Sequence, residues 1–79
     1  MPRYYFDMRE GDDVAVDEEG MEFSSMEAVR REAAHTLADM ARDAIGGRAK
    51  GEIRLMAVEV RDDSGSVLRL RFQVAIDEG

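Results

Sequence analysis

The side chains that could perform chemistry in this chain are one histidine, several runs of carboxylates and a set of arginines. His35 is the only histidine of the chain, and histidine is the usual general acid or base of enzymes. On a helix it would lie opposite the apolar stripe, so we expect it to be exposed. The chain has no cysteine, and no serine stands near His35 in sequence, so an acyl-transfer site lacks a nucleophile. We therefore predict a non-enzymatic protein with no catalytic residue.

The carboxylates are concentrated in segments that read as turns: Asp12 and Asp13, Asp17 to Glu19, and Asp62 with Asp63. Their oxygens could bind a hard cation, but the runs lack the alternating ligand spacing of a calcium loop. Turn aspartates commonly accept hydrogen bonds from their own backbone. We predict turn chemistry here, with no metal and no cofactor, and cation binding is the alternative.

The arginines lie on strands, and the alternation of side chains along a strand assigns them to one face of a sheet. That face is predicted to carry Arg3, Tyr5, Arg9, Arg61, Arg69, Arg71 and Gln73. Arginines beside an aromatic ring are typical of surfaces that stack nucleic-acid bases. Asp7 and Glu59 share the face, however, and cross-strand ion pairs explain the arginines equally well. We predict a protein-interaction or regulatory face, with a nucleic-acid-binding domain as the alternative.

Two hairpin patterns and one amphipathic helix must position these side chains. In the first hairpin Tyr4, Phe6 and Met8 alternate with polar residues, and Val14 and Val16 are expected to continue their apolar face. The last strand alternates more regularly, through Leu68, Leu70, Phe72, Val74 and Ile76. Because hairpins make neighbouring strands antiparallel, the order predicts an α+β fold of the form β-β-α-β-β. We expect one four-stranded antiparallel sheet with a single helix packed on one face.

The helix is predicted to open at Ser24, where Ser24 to Glu27 matches a capping box, and to stop at Gly46 and Gly47. Its core-facing stripe comprises Met26, Val29, Ala33, Leu37, Met40 and Ala44. Beside that stripe lies a candidate dimer flank of mostly small residues, Ala34, Ala38, Ala41 and Ile45. Small residues permit close approach of a second copy. Alanine is also simply the best helix former.

The third strand, predicted over residues 52–61, has an irregular apolar pattern. Its apolar phase shifts between Leu55 and Met56, which indicates either a bulge or burial on both faces.

The 79 residues form one domain spanning the whole chain, 1–79, because they are too few for two hydrophobic cores. Neither a disulfide nor a zinc site is available to stabilise so small a core, so we expect a homo-oligomer, a dimer. No stretch approaches the ~20 apolar residues that span a bilayer, so we expect a cytoplasmic protein without membrane contact. The net charge of -7 disfavours nucleic acid and permits a basic protein partner.

Four segments carry a resemblance that covers nearly the whole chain: Arg3 to Asp7, Asp17 to Gly20, Glu27 to Ala33 and Ala57 to Asp62. They resemble a family of small uncharacterised bacterial proteins, a domain of unknown function found mostly in alphaproteobacteria. The resemblance implies a bacterial, cytoplasmic origin and supplies no functional residues.

A looser likeness concerns Ser24 to Ala34, which are similar to the capped helix of HicB-like antitoxin domains. It implies an acidic antitoxin that caps a small basic toxin. The chain departs from that pattern by its full second hairpin and by lacking an evident DNA-binding tail. The biological role, the partner, the strand order and the geometry of a dimer are not determined by the sequence.

Overall fold

An antiparallel sheet with one long helix across it forms the structure, a computed structural model that describes residues 2–47, 53–75 and 77. The α+β prediction is confirmed. In chain order the elements are β1 (Arg3–Glu10), β2 (Asp13–Ala15), β3 (Met21–Glu22), α1 (Met26–Gly47), β4 (Ile53–Asp62) and β5 (Gly65–Ala75). The predicted members Glu52 and Ile76 lie outside the described residues.

The strand order is β2-β1-β4-β5, with β3 paired to the beginning of β1. The two hairpins therefore meet through their first strands, β1 and β4, which run antiparallel at the centre. The prediction of four strands holds for this main order, and β3 adds a fifth strand of two residues. It pairs Glu22 with Arg3 and Met21 with Tyr4, so the edge of β1 has two short neighbours instead of one.

The core lies between α1 and the face of the sheet formed by the even-numbered residues of β1 and β4. Register places Phe6 opposite Val60 and Met8 opposite Val58. The main cluster of buried side chains comprises Tyr4, Phe6, Val29, Ala33, Val58 and Val60. Phe23 packs its ring against Phe6 at 5.6 Å between centroids. The predicted core stripe of the helix is correct, with Val29, Ala33 and Ala44 buried.

The second strand departs from the sequence prediction. Val14 is 47% exposed, Val16 is exposed as well, and neither extends the apolar face of β1. The turn at Gly11 and Asp12 sets a register in which Val14 lies opposite Arg9, and so on the sheet face away from α1. A register change of one residue moves every side chain of a strand to the other face.

β4, which the sequence analysis predicted as the third strand, is buried on one face only. Met56 is 2% exposed, whereas the adjacent Leu55 is 64% exposed on the open face. The predicted burial on both faces is therefore wrong. A bulge does occur, but it lies further along, where the register shifts between Val60 and Arg61.

The helix begins one step later than predicted. Its N-cap is Ser25, whose hydroxyl oxygen accepts a hydrogen bond from the Ala28 N–H at 3.2 Å, so the helical residues start at Met26. Glu27 pairs with Arg31 at 3.4 Å. Ser24 is therefore not the cap, because the serine with the correct spacing to a free amide is the second of the two.

Candidate functional site: the open sheet face

The sheet face that α1 leaves uncovered is called the open face below. Strand register places all seven predicted residues on it: Arg3, Tyr5, Arg9, Arg61, Arg69, Arg71 and Gln73. The odd-numbered residues of β1, β4 and β5 share this face because side chains alternate along a strand. These residues differ, however, in how much of each remains available to a ligand.

Arg69 and Arg3 each form a cross-strand ion pair, as does Arg61 with Asp7. Arg69 donates to a carboxylate oxygen of Glu59 at 2.6 Å, and the Ser66 hydroxyl donates to the same oxygen at 3.1 Å. These two hydrogen bonds lower the pKa of Glu59 below its ordinary value. Arg3 lies 3.7 Å from Glu22 on β3. The predicted explanation by cross-strand pairing therefore applies to these three arginines.

Arg61 is held from three sides. Its Nε donates to Asp7 at 2.9 Å, and its NH2 group donates to the backbone oxygen of Asp17 at 2.9 Å. The guanidinium carbon lies 4.7 Å from the centroid of the Tyr5 ring, a cation–π distance. The hydrogen bond from Arg61 to Asp7 raises the pKa of the guanidinium. Arg61 is thus a structural cation that fixes its neighbours.

Asp17 closes the gap between β2 and β3 along the edge of β1. One carboxylate oxygen accepts the Phe6 N–H at 3.0 Å, which would otherwise have no strand partner there. The other accepts the N–H groups of Glu19 and Gly20, each at 3.1 Å. Partial burial raises the pKa of Asp17, but these three donors and the charge of Arg61 outweigh it and lower the pKa overall.

The loop that contains Asp17 covers the only aromatic ring of the predicted interaction face. Gly20 has a φ of +71°, and a Cβ there would lie 2.8 Å from the Tyr5 ring and 2.9 Å from the Tyr4 carbonyl oxygen. The guanidinium of Arg61 lies over the Tyr5 ring and Gly20 lies close to its Cδ2 and Cε2 atoms, so less of the ring is available to stack on a base. Sequence reasoning read Asp17 to Gly20 as a turn only. The sequence feature that could have indicated this loop is an aspartate three residues before a glycine, Asp17 and Gly20.

Arg9 and Arg71 are the two open-face arginines that form no hydrogen bond or ion pair with any residue in the described ranges. They flank Ala57: register places Arg9 of β1 and Arg71 of β5 directly opposite Ala57 of β4, on either side of it. With adjacent strands about 4.8 Å apart, their Cα atoms are about 10 Å from each other. Because the side chain of Ala57 is only a methyl group, the surface between the two arginines is a shallow depression.

Two grooves meet at this depression, and both are lined by Arg9, Ala57 and Arg71. One has a volume of about 260 Å³ and extends towards Val14 and Glu59. The other has a volume of about 250 Å³ and extends towards the exposed Leu55. The centre of the open face thus combines apolar surface on both sides with two positive charges that form no ion pair with a described residue. Below, "arginine pair" means Arg9 and Arg71.

The remaining predicted residues lie elsewhere. His35 is exposed on α1, with Nε2 3.9 Å from a carboxylate oxygen of Asp39. Ala34, Ala38 and Ala41 of the candidate dimer flank line an apolar groove of about 350 Å³ between α1 and β5, together with Leu37 and Phe72. Ile45 is exposed near the end of the helix. The structure therefore does not bring His35 to the open face or to this groove.

The three acidic segments lie at corners of the chain as predicted, and in two of them an aspartate accepts backbone amides of its own loop. Gly11 adopts a φ of +59°, and its N–H donates to the Leu55 carbonyl oxygen at 2.9 Å. Asp62 accepts the Ser64 N–H at 2.8 Å, and Asp17 accepts two amides of its own loop.

Over residues 2–47, 53–75 and 77, no cluster of three or more histidine or acidic side chains is arranged to hold a metal ion. Within the same ranges, no helix has the length and apolar character needed to cross a bilayer.

The fold and the open face define a small α+β domain with a sheet covered on one side only. The chain belongs to the DUF6894 family, a domain of unknown function, whose family model matches residues 3–73. The predicted resemblance to such a family is therefore confirmed, and the bacterial origin and the HicB-like likeness stay predictions. No curated protein and no solved structure gives a significant match.

Proposed function

We propose that the domain is a non-enzymatic protein-interaction module that binds an acidic, partly apolar segment of a partner protein on its open face. The observation that carries this proposal is the arginine pair. Among the residues that the structure describes, Arg9 and Arg71 form no ion pair, whereas Arg3, Arg61 and Arg69 each have a carboxylate partner. Side chains that only supported the sheet would be expected to find carboxylates in the same way.

The chemistry of the arginine pair suits a carboxylate, and it suits a phosphate as well. A guanidinium presents its N–H donors in a planar fork that matches the two oxygens of a carboxylate. Two such forks starting about 10 Å apart can both reach a group held above Ala57. The nearby carboxylate of Glu59 feels the charge of Arg9, but its hydrogen bonds come from Arg69 and Ser66 and not from the arginine pair.

The surroundings of the arginine pair favour a peptide over a nucleic acid. Leu55 on one side and Val14 on the other offer apolar contacts to side chains that flank the acidic residue. The single aromatic ring of the predicted face, Tyr5, is covered by Arg61 and by the loop at Gly20. A chain with a net charge of -7 also repels a polyanion at long range more strongly than a single carboxylate.

The basic-partner and antitoxin-like predictions concern the acidic turns and not the arginine pair. Strand register sets the turn at Gly11 and the turn at Asp63 at opposite ends of the sheet. A basic toxin would therefore have to extend along the sheet to contact both, although the Asp17 loop lies beside Arg61, at the end of the sheet that carries the Asp63 turn. The positive charges at the centre of the open face give more support to an acidic partner segment.

An NMR titration with short blocked peptides tests the proposal. The first peptide has one glutamate between two valines at alternate positions, and the second replaces that glutamate by glutamine. We expect the glutamate peptide to shift the amide signals of Arg9, Ala57 and Arg71 and the glutamine peptide to leave them nearly unchanged. The double variant R9Q/R71Q should bind about tenfold more weakly, since each exposed arginine–carboxylate pair contributes up to about 1 kcal/mol.

The matched control removes two positive charges from the helix instead. Arg31 and Arg42 are exposed on α1, so R31Q/R42Q has the same net charge as R9Q/R71Q. Equal loss of binding in both double variants would show that only net charge matters and would refute the proposal. Tight binding of a single-stranded oligothymidine that falls steeply with salt would overturn it in favour of the nucleic-acid alternative.

A further inference from the structure

The outer edge of β5 is the longest stretch of unpaired strand backbone among the described residues. The strand has 11 residues, pairs with β4 on one side, and has no described strand on the other. Protein edges of this kind are usually protected by prolines, bulges or a covering element. The described part of β5 contains no proline, and its register shift lies before Leu68. Arg69 to Ala75 is therefore a regular, open edge.

Apolar surface borders this edge on the side of the helix. The groove of about 350 Å³ that Ala34, Leu37, Ala38 and Ala41 line reaches Phe72 of β5. The ring of Phe72 is 39% exposed, although it points to the same face as the core residues. The backbone donors and acceptors of the β5 edge thus lie beside an apolar strip formed by this groove and Phe72. An antiparallel strand could pair with these backbone groups, and a helix packed on the same face of that strand could cover the apolar strip.

We propose that a second copy of this chain occupies the edge, with the two β5 strands antiparallel and a two-fold axis passing between the two Phe72 residues. Such an axis is perpendicular to the sheet, so both helices lie on the same side and face each other through Ala34, Ala38 and Ala41. The result is a continuous sheet across two molecules. The two open faces also become one surface, with an arginine pair on each side of the axis.

The charges of β5 and the extent of the described strand together favour this register, since an axis at Gln73 would pair only residues 71–75. With the axis at Phe72, Arg71 lies opposite Gln73 of the second copy and Arg69 lies opposite its Ala75. An axis at Leu70 would set Arg69 opposite Arg71, and an axis at Arg71 would set that residue opposite itself. Like charges directly opposite each other destabilise a strand pair. An axis at Leu68 would pair the irregular beginning of the strand.

The size of the contact indicates a weak dimer. Seven paired residues, Arg69 to Ala75, extend over about 24 Å. The smallest dimension of the Cα trace is 16 Å, so the contact buries roughly 800 Å² in total. Interfaces below about 1,200 Å² belong to transient complexes. We therefore expect a weak dimer whose population rises with concentration.

Sedimentation velocity over roughly 10 μM to 1 mM tests whether the dimer forms. The unmodified chain should shift from monomer to dimer, and F72K should stay monomeric because it sets two lysines opposite each other. L55K, which adds the same charge on the open face, should still dimerise. If F72K fails to fold, A38E on the exposed helix flank tests the same contact without altering β5. A monomer at every concentration, or a dimer that survives both F72K and A38E, would overturn the proposal.

Disulfide trapping tests the register, because the chain contains no cysteine of its own. In the F72C variant the two cysteines lie directly opposite each other, with Cα atoms about 4.5–5.5 Å apart, which suits a disulfide. We expect F72C to cross-link on mild oxidation. L70C should cross-link much less, because its counterpart is displaced by four residues along the strand, roughly 13 Å. Equal cross-linking of F72C and L70C would refute the register.

Discussion

Removing the carboxylate of Asp17 should destabilise the domain by about 2 kcal/mol. Three hydrogen bonds to a charged acceptor would contribute about 1.5–3 kcal/mol each if they were fully buried. Water can replace the carboxylate at Glu19 and Gly20, which lie on the rim of the sheet, so most of the cost comes from the Phe6 N–H. For a domain of this size, about 2 kcal/mol corresponds to a decrease of roughly 8–16 °C in Tm.

Thermal unfolding of D17A at neutral pH measures this decrease, and amide exchange of Phe6 by NMR localises it. The Phe6 N–H should exchange faster in D17A because its acceptor at 3.0 Å is gone. D63A is the matched control, since Asp63 is an exposed turn carboxylate and its removal should cost less than about 0.5 kcal/mol. If D17A and D63A melt within about 2 °C of each other, the assigned role of Asp17 is wrong.

The pH dependence of the difference in Tm between the unmodified chain and D17A provides a second test of the role of Asp17. Since the pKa of Asp17 is lowered in the folded state, its carboxylate contributes full stability above the ordinary pKa of 3.8. That contribution is lost as the pH falls through the lower, folded-state pKa. The difference in Tm between the unmodified chain and D17A should therefore be constant near neutral pH and should shrink below about pH 4. A difference that grows on acidification would contradict this assignment.

Two further substitution pairs test the local structure. G20A should cost more than G11A although both glycines have positive φ, because only at Gly20 would a Cβ meet the Tyr5 ring, at 2.8 Å. We expect about 1 kcal/mol for G11A and at least about twice that for G20A by urea unfolding, and equal values would refute the close contact. M56A should destabilise by about 2–4 kcal/mol and L55A by less than about 0.5 kcal/mol, since Met56 is buried and Leu55 is exposed. A larger loss for L55A would reverse the assigned faces of β4.

The arginine pair illustrates what the sequence could say about the candidate site. Strand alternation alone assigned Arg9 and Arg71 to the open face, because alternation needs no knowledge of neighbouring strands. It could not say that they remain unpaired while Arg61 and Arg69 are neutralised. Ion pairing across strands depends on register, and register is set by contacts between residues far apart in the chain. The same limit explains why Val14 was assigned to the wrong face.

The sequence by itself determined the element types, the capped amphipathic helix and the acidic turns, because each depends on residues within a few positions of one another. Only the tertiary structure decided which strands are neighbours. It joined β1 to β4, left the outer edge of β5 without a partner among the described strands, and brought the Asp17 loop onto Tyr5 and Arg61. The physical reason is that hydrogen bonds and ion pairs between strands depend on alignment across the sheet, which no local pattern encodes.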